Sequence, residues 1–488
     1  METNTLLGME DACFMREPVL GGATNVNNQE WVVIGGTLID GLGGAPMSPS
    51  VIHIRDGRFR AIARPADFMP PPTAKVIDAT GKFVLPGLMN GNVHLLDGIM
   101  MMGIGGVEYL ARFEGRYHEV IEEAAQIALR AGITTVFDTW NATAPVLKAR
   151  NRINAGDAAG ARIFAAGNIV GMGGPFSPDF SPQSRTVITR TFANRIDSLF
   201  EAGVGRYLST LPPAEVRPII RDYMARGVDM VKVAVSDHLI GVCGWSAPYL
   251  TFSDRVLRTI AEEVRKAGLP FVTHTTSIES LQMAVDLEAS AMMHVTCTAQ
   301  TAIPEDLLVQ MAKSHSWSEI QPTTHEFQCH LESTKSPWAP YAGGAHDDNT
   351  RRLIQVEAPI ILGTDAGCTD PDALNDLSPD DLQDRPWTLG KDHILWAKAM
   401  VEKGMSPMAA IVASTLNVAK AYGKADDYGS VEVGKVADLL VLAADPLKEI
   451  TNLGKVSEVI KGGERMAVSA LPTKPVVTRY PRDADSQL

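Results

Sequence analysis

At 488 residues the chain is too long for one compact core, so two or more structural units are expected. Its 45% hydrophobic and 21% charged content is that of an ordinary folded protein, which excludes fibrous and wholly disordered classes. The 57 Asp and Glu outweigh the 44 Lys and Arg, and a net charge of -13 repels phosphate, so nucleic acid and anionic membrane are excluded as partners.

Cys13, Cys243, Cys297, Cys329 and Cys368 are scattered with no CxxC pair, a pattern that fits a reducing compartment and not a disulfide framework. The first residues lack a basic flank and an apolar core of signal-peptide length, and no run of about eighteen apolar residues occurs, so a cytoplasmic protein without a membrane span is expected.

Residues 1 to 28 carry no sustained period and read as an arm. Residues 29 to 86 read as the first part of a small antiparallel β-sandwich. Trp31 to Asp40 is a β run closed by the glycine-rich turn at Gly41 to Gly44, and Val51 to Arg60 is a hairpin about Asp56-Gly57. Val76 to Asp78 is expected to pair with Lys82 to Leu85, and the unit stops at Pro86-Gly87. From 87 to 425, helical stretches such as His118 to Ala131 alternate with short apolar runs. These are Thr134 to Phe137, Arg162 to Ala165, Met230 to Val235, Phe271 to Thr273, Ala291 to Met293 and Ile360 to Leu362. Such alternation predicts a parallel sheet covered by helices, and about eight such units predict a closed (β/α)8 barrel of the TIM type. β texture returns in Gly429 to Leu442 and Val456 to Ile460, before a Lys461-Gly-Gly turn. These strands resemble the first set, so both chain ends are expected to build one sandwich, its second part spanning 426 to 475, with 476 to 488 a polar tail.

The chemistry-bearing residues stand at the ends of these runs, which in a barrel is the mouth where active sites lie. Asn92 and His94 alternate with Val93 and so share one strand face. Lys232 sits inside Met230-Val-Lys-Val-Ala-Val235, and His274, His294 and Asp365 each end a strand. A single strand-end histidine is usually a hydrogen-bonded core residue. Several such residues on different strands are improbable as independent accidents, and an ammonium in an apolar strand costs on the order of several kcal/mol unless paired or neutralised. Imidazole and carboxylate are ligands for zinc and similar cations. Lysine is a donor only, but a buried lysine of lowered pKa is able to add carbon dioxide, giving a carbamate whose two oxygens bridge two cations. Water on such a cation loses its proton near neutral pH and becomes a nucleophilic hydroxide, and Asp365 is placed to take that proton and pass it to a leaving nitrogen.

Leu85-Pro-Gly-Leu-Met-Asn-Gly-Asn-Val-His94 resembles the first-strand signature of the amidohydrolase superfamily. So do Lys232, His274, His294, the Gly363-Thr-Asp365 strand end, Gly434-Lys-Val-Ala-Asp-Leu439 and the Ser406-Pro407 helix with Thr415 and Asn417, over about residues 30 to 465. The resemblance implies a metal set of Asn92, His94, Lys232, His274, His294 and Asp365, with Lys232 carbamylated by carbon dioxide and Asp365 catalytic. It implies one or two divalent metals per subunit, zinc first, with cobalt or manganese as alternatives. Two-metal members carry His-x-His on the first strand, whereas the first position here is Asn92, a weaker neutral ligand. That Asn-x-His variant is similar to the phenylurea and thiocarbamate (molinate) hydrolase branch, which cuts N-substituted urea or carbamate carbonyls to an amine. A small-molecule substrate and a homo-oligomer are the expected partners. An imidazolonepropionase-like or other cyclic-amide enzyme is the alternative activity, and an inactive scaffold with Asn92 as its first lesion is the non-enzyme reading.

His238, on the loop after the Lys232 strand, and Met100 and Met101, after the first strand, are candidate substrate contacts. Thr275, Thr296 and Cys297 neighbour the expected ligands. His325, His330 and His346 fall in a segment from Thr323 to Asn349 that reads as a loop-rich lid or interface.

Overall fold

Two β-rich chain ends pack beside a ring of parallel strands in the computed structural model, which describes residues 30–101, 105–237, 250–298, 300–335, 343–370 and 387–478. The expected arm at 1–28 and most of the expected tail lie outside these residues. One sheet of the sandwich has the order β4-β3-β1-β5, from β1 (Trp31–Ile34), β3 (Val51–Arg55), β4 (Arg58–Ala63) and β5 (Lys75–Asp78). The other joins both chain ends in the order β18-β17-β16-β6-β2, with β2 (Thr37–Leu38), β6 (Phe83–Pro86), β16 (Leu439–Leu442), β17 (Val456–Lys461) and β18 (Glu464–Arg465). Apolar residues of both sheets, among them Val33, Ile54, Ile77, Val84, Val441 and Ile460, close a core between them.

Two pairings differ from the sequence expectation. The run from Trp31 to Asp40 is broken at Gly35, whose φ of +82° turns the chain from one sheet into the other. A side chain there would set its Cβ 2.4 Å from Thr80 Oγ1, so only glycine fits the crossing. The segment 76–78 does not pair with 82–85. β5 lies parallel to β1, and the Ala79 N–H bonds Ile34 O to extend that ladder. The chain then turns at Gly81, φ +74°, so that β6 enters the other sheet, parallel to β2 and antiparallel to β16. The sandwich is therefore mixed and not purely antiparallel. Within 429–442 only Leu439–Leu442 is strand, because Gly429 and Gly434 both take left-handed turns before it.

The barrel runs β7 (Leu88–Leu96), β8 (Ile133–Asp138), β9 (Arg162–Ala165), β10 (Val231–Ala234), β11 (Phe271–His274), β12 (Ala291–Met293), β13 (Trp317–Ile320) and β14 (Ile360–Leu362). Neighbours pair in parallel in two arcs, β7-β8-β9 and β10 to β14. Val170 bridges one seam, its N–H bonding Lys232 O at 2.8 Å and its carbonyl accepting from Ala234 N–H at 3.0 Å. The other seam closes where the N–H groups of Thr364 and Asp365 both bond Asn92 O at 2.9 Å. A short β15 (Ala366–Cys368) then pairs with β7. β13 was not among the expected runs, because Trp-Ser-Glu-Ile carries two polar residues, Ser318 and Glu319, that the barrel fully buries.

The segment 323–349 is not loop-rich: it holds helix His325–Ser333 and the start of helix Ala345–Gln355, with His346 buried. Residues 476–478 are not a loose tail either. Val476 and Val477 are buried, and the backbone N–H groups of 476–478 all bond the Glu123 carboxylate on helix Tyr117–Arg130. Among the described residues no helix is long and apolar enough to cross a membrane.

One buried polar network holds the β7–β14 seam from behind. Asn90 Nδ2 donates to Thr364 Oγ1 at 2.8 Å and to Asp392 Oδ2 at 3.1 Å, while Thr364 Oγ1 donates to Asp392 Oδ2 at 2.9 Å. Replacing Asn90 by Ala leaves buried acceptors without their donor, and the expected loss is about 1–3 kcal/mol of unfolding free energy. Denaturant titration checks this; an unchanged midpoint would show that the network does not secure the seam.

Candidate active site

Strands β7, β10, β11, β12 and β14 or the residues just after them deliver His94, Lys232, His274, His294 and Asp365 to a common cavity of about 280 Å³, which Trp140 and Phe180 also line. Asn92, the remaining member of the expected set, is not in this lining. His94 Nε2 stands 3.1 Å from Asp365 Oδ1, and His294 Nδ1 stands 3.6 Å from Asp365 Oδ2. The rings of His274 and His294 lie 4.8 Å apart. Trp140 meets the edge of His94 and stacks on Phe180 at 4.2 Å, giving the cavity an aromatic wall. Below the histidines, Lys232 Nζ donates to Thr139 Oγ1 at 3.1 Å, which in turn donates to Asn92 Oδ1 at 2.5 Å.

Glu319 on β13 escaped the sequence reading. It is fully buried, and its Oε2 accepts the His294 N–H at 2.7 Å and lies 3.7 Å from His294 Nδ1. Glu319 Oε1 has no hydrogen-bond partner among the described residues. The signal available was positional: a strand is due after helix Glu305–Lys313, and Glu319 is the charged residue in that slot. The carboxylate matters because it holds the turn that aims His294.

Burial governs the protonation of the cluster. It pushes the Lys232 amine below its usual value, against the pull of Asp365, Glu319 and Asp138. Burial also lowers His94, opposed by the Asp365 charge, and takes His294 down to about 4. It raises Asp138 to about 7, against bonds from Asn141 and Leu95, and raises Glu319 to about 8, with the Asp365 charge adding to the effect. For Asp365 burial is again the largest influence and would raise it, but His294, His94 and Lys232 together hold it well below the carboxylate range. Neutral imidazoles beside an ionised carboxylate are the donor state that a divalent cation requires. Buried His94 Nδ1 likewise has no hydrogen-bond partner among the described residues. Among those residues no three of His, Cys, Asp and Glu close by themselves into a ready metal cage.

The weaker candidates separate. His238 lies outside the described residues, as does the side chain of Met100. Met101 is buried in the main hydrophobic core, while Gly98 and Ile99 line the cavity. Thr275 Oγ1 is spent on Met293 O, and Thr296 Oγ1 pairs with His346 Nε2 at 2.9 Å.

Comparison with known proteins bears on this arrangement. The amidohydrolase family pattern matches residues 83–466. The structure of molinate hydrolase is similar at 56% identity and a TM-score of 0.91, covering 93% of this chain and 98% of that one. Phenylurea hydrolase B is similar at 51% identity and 0.90, covering 93% and 100%. The imidazolonepropionase of Porphyromonas gingivalis (strain ATCC BAA-308 / W83) is 25% identical over 425 residues, 85% of this chain and 89% of that one.

Since Glu319 orients His294, Glu319→Leu is expected to lower activity about 10–100-fold, while Glu319→Gln, which keeps an acceptor for the His294 N–H, loses less. Steady-state kinetics of the two variants decide this; equal losses would show that the backbone bond is not what matters.

Proposed function

We propose, from the premise that this chain belongs to the amidohydrolase family, that it is a divalent-metal-dependent hydrolase of N-substituted phenylureas or thiocarbamates, cutting the C–N bond to release an amine. The family generally uses divalent metals. The observation that carries the reading is the convergence of His94, Lys232, His294 and Asp365 on one aromatic-walled cavity, in a chain more than half identical to the molinate hydrolase over 93% of its length.

His94, His274, His294 and Asp365 would hold the cation, with Lys232 joining as a carbamate and Asn92 as a weaker oxygen donor. When bound, the cation supplies Lewis acidity, which polarises the carbonyl and brings the pKa of water near neutrality. Asp365, kept ionised by the two histidines, accepts the proton of the attacking water and later delivers it to the amine nitrogen. Trp140 and Phe180 shield the carbonyl from bulk water and offer a flat face to an aryl group. In balance, water adds oxygen to the carbonyl carbon, the C–N bond breaks and its electron pair leaves with nitrogen, which gains the proton. Zinc is the first choice of metal, then cobalt or manganese. The cytoplasm is proposed as the compartment and a homo-oligomer as the state; Cys297, Cys329 and Cys368 as free thiols support the former.

The second reading, cleavage of a cyclic amide, is favoured by the imidazolonepropionase relatives alone, at 23% to 28% identity. A panel of aryl ureas, thiocarbamates, acyl-amino acids and imidazolonepropionate, read by product release before and after prolonged chelation, separates the two and also tests the inactive-scaffold alternative. Urea or thiocarbamate cleavage, lost on chelation and restored by zinc, cobalt or manganese, is the expected result. Full activity in rigorously metal-free protein overturns it.

A lysine carbamate leads to a further expectation. Lys232→Ala should abolish hydrolysis, and short carboxylic acids should restore part of it by filling the space with a carboxylate. Absence of rescue in a variant that still folds and binds metal would count against the carbamate.

A further inference from the structure

A second cavity, of about 460 Å³, opens at the same end of the barrel, lined by Gln321, Leu331, His346, Thr364, Trp387 and Trp396. It adjoins the first along the chain: Gly363 and Thr364 line it, while the next residue, Asp365, lines the other. Gln321 is a second link, since its side chain favours the protonated form of His294.

Two polar nitrogens in this wall are buried without a hydrogen-bond partner among the described residues, Gln321 Nε2 and His346 Nδ1. His346 is 4% exposed and already engaged through Nε2 with Thr296. Trp396 spends its indole N–H on Ile320 O at 2.8 Å, so its ring face serves as apolar wall. Burying polar nitrogens without partners is costly; Gln321 Nε2, a donor, is completed by a ligand that brings an acceptor, while the role of His346 Nδ1 follows its tautomer.

We propose that this second cavity is the subsite for the substituent on the acyl side of the scissile carbonyl: an apolar group attached through an oxygen, sulfur or nitrogen, with Gln321 Nε2 as the donor that recognises its polar end. The amine side then lies against Trp140 and Phe180. This inference rests on the proposed function, since a urea or carbamate carbonyl carries two substituents and needs two pockets.

Leu331, packed with Phe327 and Trp387, sets the size of the cavity. Two thiocarbamate series are required, one growing from methyl to butyl on the acyl side and one growing on the amine side. For Leu331→Trp the butyl-to-methyl ratio of kcat/KM should fall about tenfold or more in the acyl-side series, and for Leu331→Ala it should rise. Because the readout is a ratio, a general loss of activity does not mimic it, and Leu331→Ala still reports if Leu331→Trp fails to fold. Ratios unchanged in both variants, or changed only in the amine-side series, overturn the proposal. Should no thiocarbamate be cleaved, the proposed function fails separately, and calorimetric binding of the uncleaved S-butyl compound to the natural protein and to Leu331→Trp decides for the cavity. About tenfold tighter binding to the natural protein supports the subsite, and equal binding overturns it.

Discussion

A lysine sealed at the centre of a barrel constrains everything around it. Lys232 is fully buried between Val231 and Val233, where a lone ammonium is disfavoured. The fold answers with carboxylates from three other strand ends, Asp138, Glu319 and Asp365, each already committed elsewhere. Asp138 Oδ2 accepts from the Leu95 N–H at 3.1 Å and Asn141 Nδ2 at 2.8 Å, tying β7 to the loop after β8. Glu319 holds the backbone of His294, and Asp365 faces the two histidines. The groups whose charges act on Lys232 are thus the same ones that position their neighbours, which explains why β13 carries a carboxylate where a barrel strand would ordinarily carry an aliphatic residue.

Asn92 belongs to the same arrangement. A Cβ placed on Gly363 would stand 2.3 Å from Glu319 Cγ and 2.8 Å from Asn92 Cβ, so Glu319 and Asn92 both press against a position that only glycine leaves open. With a glutamate filling that space, the smaller amide at 92 is a packing partner as well as a substitution of one ligand for another. Asn92 is no solitary lesion, for its Oδ1 receives Thr139 and its carbonyl closes the barrel seam.

The barrel strands and the metal-type residues were legible because His274, His294 and Asp365 end apolar runs, where period and polarity change together, and Lys232 is a charge inside one. Glu319 was not, since Trp-Ser-Glu-Ile lacks the apolar signature and its burial comes wholly from tertiary packing. The split at Gly35 and the placement of β5 and β6 in different sheets were hidden for a related reason: local alternation reports a strand but not its neighbour. The helices at His325–Ser333 and Ala345–Gln355 went unread because polar residues dominate them, although Phe327, Leu331 and Leu353 bury one face. In that last helix His346, one of the three histidines singled out in the sequence, lines the second cavity.

Backbone geometry explains why so few side chains suffice. His294 and Asp365 both adopt left-handed conformations, with φ of 62° and 54°, at the ends of β12 and β14. Such residues cost on the order of 1–3 kcal/mol each and persist only where their surroundings fix them. Here the fixing bonds are visible: the His294 N–H is held by Glu319, and the Asp365 N–H by Asn92 O. In an extended strand the next side chains would alternate in and out of the barrel. The left-handed turn instead swings His294 and Asp365 across the mouth until their polar atoms stand within 3.6 Å of each other. The strain is offset by Glu319, whose charge also acts on Lys232, and by the Asn92 carbonyl that closes the barrel, so loosening either disturbs more than one feature at once.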